Sequence, residues 1–296
     1  MASSRSLVIV ADDFGIGPET SRGILELGQE GRITAAVLLV NSPFAGEAVR
    51  KWKLNRRPMK LGWHANLTLD RPLLTPSEIP SLVGPDGRFW SLRQFLRRAA
   101  FGKLRRSEIE AEWSAQWHRY VDLVGEPPAI VNSHHHVAVF PPLGDVLLQI
   151  LRKQKPLPYV RRVREDWQSL LAPGSLWKRI MLTAFGTLLA RRCESEGFPG
   201  CECLIGINNG RDPMRPSFFA ERLASAGAES IELMCHPGYR DESLNGRDGN
   251  PSEIELASRE AELRSLRRGD SLECLADLGY DFQGPSGPQA PTRRAA

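Results

Sequence analysis

The stretch SLVIVADDFG, residues 6–15, runs an apolar, β-branched segment straight into two adjacent aspartates, Asp12 and Asp13, followed by Phe14 and Gly15. The segment reads as a buried strand. Two like charges at its end cost desolvation and repulsion unless a cation stands beside them or one carboxyl keeps a proton. Runs of the same kind recur along the chain: ITAAVLLV (33–40), KLGWHANL (60–67), AIVNSHHHV (129–137), YVRRVRE (159–165), ECLIGI (202–207) and ESIELMCHP (229–237). Between them, SRGILELGQEG (21–31) has helical spacing and stops at a glycine. SEIEAEWSAQWHRYVDLVG (107–125) places Ile109, Trp113, Trp117, Tyr120 and Val124 on one helix face and again stops at a glycine.

This alternation predicts an α/β protein with a parallel sheet, open or closed into a barrel. Asp12, Asp13, Asn41, His64, His134, Asn208 and His236 fall where the strands end. In a (β/α) barrel the carboxyl ends of the strands build the active site. The sequence therefore reads as one barrel-like domain over residues 1–282, with 69–107 as an elaborated loop above that face. Residues 283–296, QGPSGPQAPTRRAA, are poor in apolar side chains and are expected to be a disordered tail.

Composition narrows the function classes. With 296 residues, 41% hydrophobic, the chain can bury a large core, and its net charge of +4 is modest. It carries no aromatic RNP pattern, zinc finger or basic heptad region, so nucleic acid is not an expected partner. MASSRSLVIVADD is too short and wrongly flanked for a signal peptide, and no run reaches the length of a membrane span. Five cysteines, an odd number, suggest reduced thiols and a cytoplasmic protein. The Cys201-x-Cys203 pair lacks a second pair at zinc-finger spacing and is read as structural.

Of the six histidines, His64, His134, His135, His136 and His236 sit in strand-end segments; His118 lies on the helix with Trp113 and Trp117 and is read as structural. If the strand continues through SHHHV, alternation sends His134 and His136 to one face and His135 to the other. An aspartate with two histidines from three strand ends is a metal-ligand set, suited to zinc, iron, cobalt, nickel or manganese and less naturally to magnesium. A cation would also account for the paired aspartates, one as ligand and the other free as a base. The Gly-x-Gly of DDFGIGPE lacks the full dinucleotide fingerprint, and two carboxylates precede it where a pyrophosphate would lie.

Four motifs in order, ADDFG, GWHANLTLDRPL (62–73), NSHHHVAVFP (132–141) and ELMCHPGY (232–239), resemble the YdjC-like family of carbohydrate deacetylases. That family includes chitooligosaccharide deacetylases and hopanoid-associated enzymes, and the match spans roughly residues 6 to 280. The resemblance implies a TIM-like (β/α) barrel of about seven parallel strands, of the glycoside hydrolase/deacetylase type. It also implies one divalent metal ion (magnesium or zinc, with manganese, cobalt or nickel as alternatives) and hydrolysis of an N-acetyl group on an amino sugar. By position, Asp13, His64 and His134 resemble the metal ligands, Asp12 the general base and His236 the general acid. Phe14, Arg161 and His136 are expected at the substrate, with Arg161 orienting a carboxylate and backbone N–H groups around Phe14 and Gly15 holding the oxyanion. Relatives commonly carry Asp-Ser-His-His-His-Val-His; here the outer positions are Asn132, which removes a negative charge behind a ligand, and Ala138, which removes a histidine that could face substrate. Trp63 and Ala65 are expected to alter the pocket wall.

A catalytically degenerate carbohydrate-binding protein on the same barrel is the alternative, disfavoured because a binding module needs neither a base nor an acid. A phosphoesterase would call for a basic pocket or a second metal. SLWKRIMLTAFGTLLARRC (175–193) reads as a barrel helix or, with its basic flanks, as a peripheral contact to an anionic membrane carrying a lipid-linked substrate. The resemblance leaves a homodimer open.

Overall fold

The computed structural model describes residues 5–172, 175–247, 252–268 and 280–285. Eight strands form one sheet: β1 (Arg5–Phe14), β2 (Ala35–Leu38), β3 (Lys60–Ala65), β4 (Ile130–Ser133), β5 (Tyr159–Val160), β6 (Cys203–Ile205), β7 (Ser230–Cys235) and β8 (Tyr280–Phe282). Around them pack α1 (Pro18–Gln29), α2 (Ala45–Leu54), α3 (Leu92–Ala100), α4 (Arg106–Val124), α5 (Leu143–Leu151), α6 (Trp167–Leu171), α7 (Leu176–Ser195), α8 (Phe218–Ala224) and α9 (Glu253–Arg267).

The spatial order β5-β4-β3-β2-β1-β7-β6 is that of a sequential parallel barrel, with β8 paired to the start of β1. The outer strands β5 and β6 share no ladder. Backbone hydrogen bonds from Val160 to Pro199 (2.8 Å) and from Leu204 to Arg164 (2.8 Å) join their flanks instead. The sheet is thus a curled half-barrel. The YVRRVRE strand shortens to two paired residues because the chain turns from its β4 neighbour, Val131, to its β6 neighbour, Leu204.

Strand alternation sorts the core. Leu7, Ile9 and Ala11 join the large cluster shared with the helices, whereas Val8 and Val10 face inward with Ala35, Val37, Ile130 and Tyr159. Continuing the inward positions towards the carboxyl ends leads to Asp12, His64, Asn132 and Arg161. The same alternation turns Trp63 outward, where its ring meets Trp117 edge-on at 5.8 Å, so it does not form pocket wall.

Both glycine stops hold: Gly125 caps α4 in the left-handed region (φ 88°), and Gly31 follows α1 at φ 66°. Ile109, Trp113, Trp117, Tyr120 and Val124 are all buried. The 69–107 segment contains α3, opened by a Ser91–Gln94 capping box, rather than loop alone. On α7, Leu182, Leu189 and Ala190 pack inward, while Trp177, Ile180 and Leu188 are exposed. No helix among the described residues is long and apolar enough to cross a membrane. The N–H of Gln283 donates to Leu7 at 2.9 Å; the rest of the expected tail, from residue 286, lies outside the described residues.

Candidate metal centre and active site

Asp12 and Asp13 reach the same cavity because β1 carries a bulge. Ala11 pairs with Ala36 and Phe14 with Leu38, so β1 spends one residue more than β2 across this step. Asp13 takes the left-handed conformation, φ 64°, which aspartate tolerates better than most residues. Regular alternation would have sent the two carboxylates to opposite faces. The bulge also turns Phe14 outward, where it is wholly buried in the core and does not line the cavity.

The strand in SHHHV ends at Ser133. Residues 134–139 form a 3-10 segment in which His135 and His136 are left-handed (φ 53° and 55°). Alternation therefore does not govern the three histidines, and all three line the cavity. His135 Nδ1 lies 2.9 Å from Thr68 Oγ1. Ala138 is buried, its N–H donating to Ser133 Oγ at 3.0 Å, and it does not line the cavity. His118 is exposed on α4.

Among the described residues, Asp13, His64 and His134 form a group of three with converging donor atoms. Asp13 Oδ1 lies 3.4 Å from His64 Nε2 and 3.2 Å from His134 Nδ1, and the two nitrogens are 3.2 Å apart. Tetrahedral bonds of about 2.0–2.1 Å, usual for nitrogen and oxygen ligands of zinc, require donors about 3.3 Å apart. The donor set and its spacing fit a small divalent cation. Asp13 Oδ2 accepts from Arg259 of α9 at 2.6 Å. Burial pushes the Asp13 carboxyl up, but Arg259 and the two imidazoles outweigh it and hold the group well below the usual carboxylate range.

Asp12 is bound from below. Arg161 donates to both of its oxygens, at 2.6 and 2.8 Å, and Asn132 Nδ2 donates to Oδ1 at 3.1 Å. Arg161 also donates through Nε to Glu232 at 2.6 Å, and the Tyr159 hydroxyl donates to that same carboxylate at 2.9 Å. Burial again pushes Asp12 up, and the Arg161 guanidinium, foremost, with the His64 and His236 imidazoles, more than reverses it. Arg161 therefore orients a carboxylate, as expected, but its side chain is fully buried and absent from the cavity lining. It is not a substrate contact.

His236 faces the cavity with Nε2 3.9 Å from Asp12 Oδ2. Its backbone N–H donates to Glu262 of α9 at 2.5 Å. Burial pushes the imidazole down to about 4, and the His136 imidazole is also held well below its ordinary range. Gly15 N–H donates to Ser21 Oγ at 3.0 Å, so this amide is engaged in the fold and is not free to hold an oxyanion.

The cavity, about 360 Å³, opens at the carboxyl ends of the strands. Its lining includes apolar side chains, Leu92 and Leu96 of α3, Phe140 and Met181, and polar ones, Asn208, Arg259 and Glu262. Asn41 instead ties down the following loop through Leu69 and Arg71. Sequence reasoning missed Arg259, Glu232 and Glu262. Glu232 had a signal, an acidic residue within the apolar run of β7; the two α9 residues had none. The described cysteines, Cys193, Cys201, Cys203 and Cys235, are buried and unbridged. Burial pushes the thiols of the first three up to about 12, which suits packing and not reactivity.

Fold and site define a (β/α) protein with a candidate mononuclear metal centre at the carboxyl ends of its strands. The model of the YdjC-like protein family matches residues 6–277, and the chain belongs to that family. It is 32% identical to a chitooligosaccharide deacetylase of Serratia marcescens, over 84% of this chain and 88% of that one. It is 27% identical to a carbohydrate deacetylase of Halalkalibacterium halodurans, over 86% and 95%. A crystal structure from Enterococcus faecalis, of a protein assigned to cellobiose-phosphate cleavage, shares the fold with a TM-score of 0.76 at 23% identity, covering 96% of this chain and 98% of that one.

Proposed function

We propose that this protein is a metal-dependent carbohydrate deacetylase that hydrolyses the N-acetyl group of an amino sugar. The observation that carries this reading is the convergence of Asp13, His64 and His134 beside Asp12 and His236 in one cavity. Asp13, His64 and His134 hold the divalent ion. When bound, it supplies Lewis-acid polarisation of the acetyl carbonyl and of a water molecule. Asp12 takes the proton of the attacking water, and His236 delivers a proton to the departing amine. His136 contacts the sugar. The relatives' names support an acetylated amino-sugar substrate, and a binding module would have no use for Asp12 and His236 beside the ligand cluster.

In this scheme the pair begins with no proton at neutral pH: Asp12 is ionised by its arginine and His236 is neutral by burial. The proton gained by Asp12 is the one His236 gives up; their 3.9 Å separation is beyond direct hydrogen-bond reach, so a water molecule between them carries it. A profile of kcat/KM between pH 5 and 8 at saturating metal is expected to show no decline with rising pH. Had His236 to start protonated, kcat/KM would already be falling tenfold per pH unit across that window, and such a fall would overturn the scheme.

The reading as a whole is tested by acetate release from N-acetylglucosamine oligosaccharides. Metal-stripped protein should be inactive and regain activity with zinc, magnesium, manganese, cobalt or nickel. Equal release with and without metal would exclude it, and tight metal binding with no release would favour the carbohydrate-binding alternative.

A further inference from the structure

Asn132 lies on β4 at an inward position, buried between the two functional halves of the site. Its Oδ1 is 2.5 Å from His64 Nδ1, and its Nδ2 is 3.1 Å from Asp12 Oδ1. Hydrogen-bond chemistry leaves one assignment. Both oxygens of the Asp12 carboxylate accept from Arg161, at 2.6 and 2.8 Å, so the amide –NH₂ faces it as a further donor and the amide oxygen faces His64. That oxygen also only accepts, so His64 carries its proton on Nδ1 and presents the lone pair of Nε2. The lone pair points at the position shared with Asp13 Oδ1 and His134 Nδ1.

We propose that Asn132 is a positioning residue with two separable tasks, fixing the His64 tautomer for metal binding and holding Asp12 beside the same centre. The inference rests on the metal centre of the proposed function. The amide carries its acceptor and its donor on separate branches, one for each partner. Aspartate in its place keeps the acceptor for His64 but faces Asp12 with a second negative charge. Leucine, with the same γ-branched shape, offers neither.

The experiment compares zinc affinity, by chelator competition, and acetate-release kinetics at saturating zinc for the full-length protein, N132D and N132L. Loss of a partner behind a metal-bound histidine costs about 10–100-fold in affinity. N132L is expected to lose that much, and N132D to stay within a few-fold of the parent protein while its kcat falls about tenfold or more. Retained affinity in N132L, or unchanged kcat in N132D, overturns the proposal. Should N132L not fold, the long-range ¹H–¹⁵N histidine spectrum of the unsubstituted protein decides: a proton on His64 Nδ1 supports the assignment, and one on Nε2 overturns it. Failure of the unsubstituted protein to bind any divalent ion would instead refute the metal centre itself, and with it the ground for this inference.

Discussion

Asp12→Asn lowers acetate release by about 10²–10⁴-fold, the range general-base catalysis supplies, while zinc affinity stays near that of the unsubstituted protein. Asp13, His64 and His134 are untouched by the change, so the ligand cluster keeps its donors. What disappears is the carboxylate that takes the proton in the proposed mechanism. An amide at this position also turns an N–H towards donors: Arg161 and Asn132 between them donate three hydrogen bonds to the carboxylate. One of those contacts becomes donor against donor, which costs about 1–3 kcal/mol when buried. A modest fall in melting temperature should accompany the catalytic loss, and the assay belongs well below it. Acetate release within tenfold of the unsubstituted rate would remove Asp12 from the chemistry.

Arg161→Met destabilises the protein by about 3–5 kcal/mol, the cost of stripping one partner from a buried ionic cluster. For a chain of this size that is a drop in melting temperature on the order of 10 °C. Arg161 is the cation between Asp12 and Glu232, and its side chain has no exposed surface. Methionine fills much of its volume but leaves two buried carboxylates without a positive partner. The cheapest response is for one of them to keep a proton at neutral pH; where that carboxyl is Asp12, the ionised state its proposed role as base requires is lost. Thermal denaturation at pH 7 and pH 5 checks this. The variant's deficit should shrink at the lower pH, where protonation of the orphaned carboxylates relieves their burial. A deficit that does not shrink would place the effect of Arg161 in packing and not in charge.

The two variants probe neighbouring members of one buried chain, Glu232–Arg161–Asp12–Asn132–His64, which joins β7, the residue after β5, β1, β4 and β3 through side-chain hydrogen bonds. Four members sit at inward strand positions, and Arg161 continues the same alternation one residue past the end of β5. The charges are affordable because each carboxylate in the chain meets a donor, and the arginine meets two carboxylates. The adjacent aspartates of β1 are accommodated in the same way: Asp12 by Arg161, and Asp13 by Arg259 and the imidazoles of His64 and His134.

Much of this was legible in the residues. The strand–helix alternation, the glycine stops after α1 and α4, and the buried face of α4 follow from short-range periodicity and from backbone preferences that each segment carries alone. The residue types at the strand ends were legible too, since a strand of known direction brings its last polar residues to one rim. Tertiary structure alone decided the rest. The bulge that puts Asp13 beside Asp12 exists only in the register of β1 against β2. The left-handed turn that brings His134, His135 and His136 together begins where β4 runs out of partners. Arg259 and Glu262 reach the cavity because α9 folds across the strand ends. Periodicity tells a side chain which face of its own element it occupies; it carries no information about which distant element that face will meet, and here the charge balance of the site depends on those distant meetings.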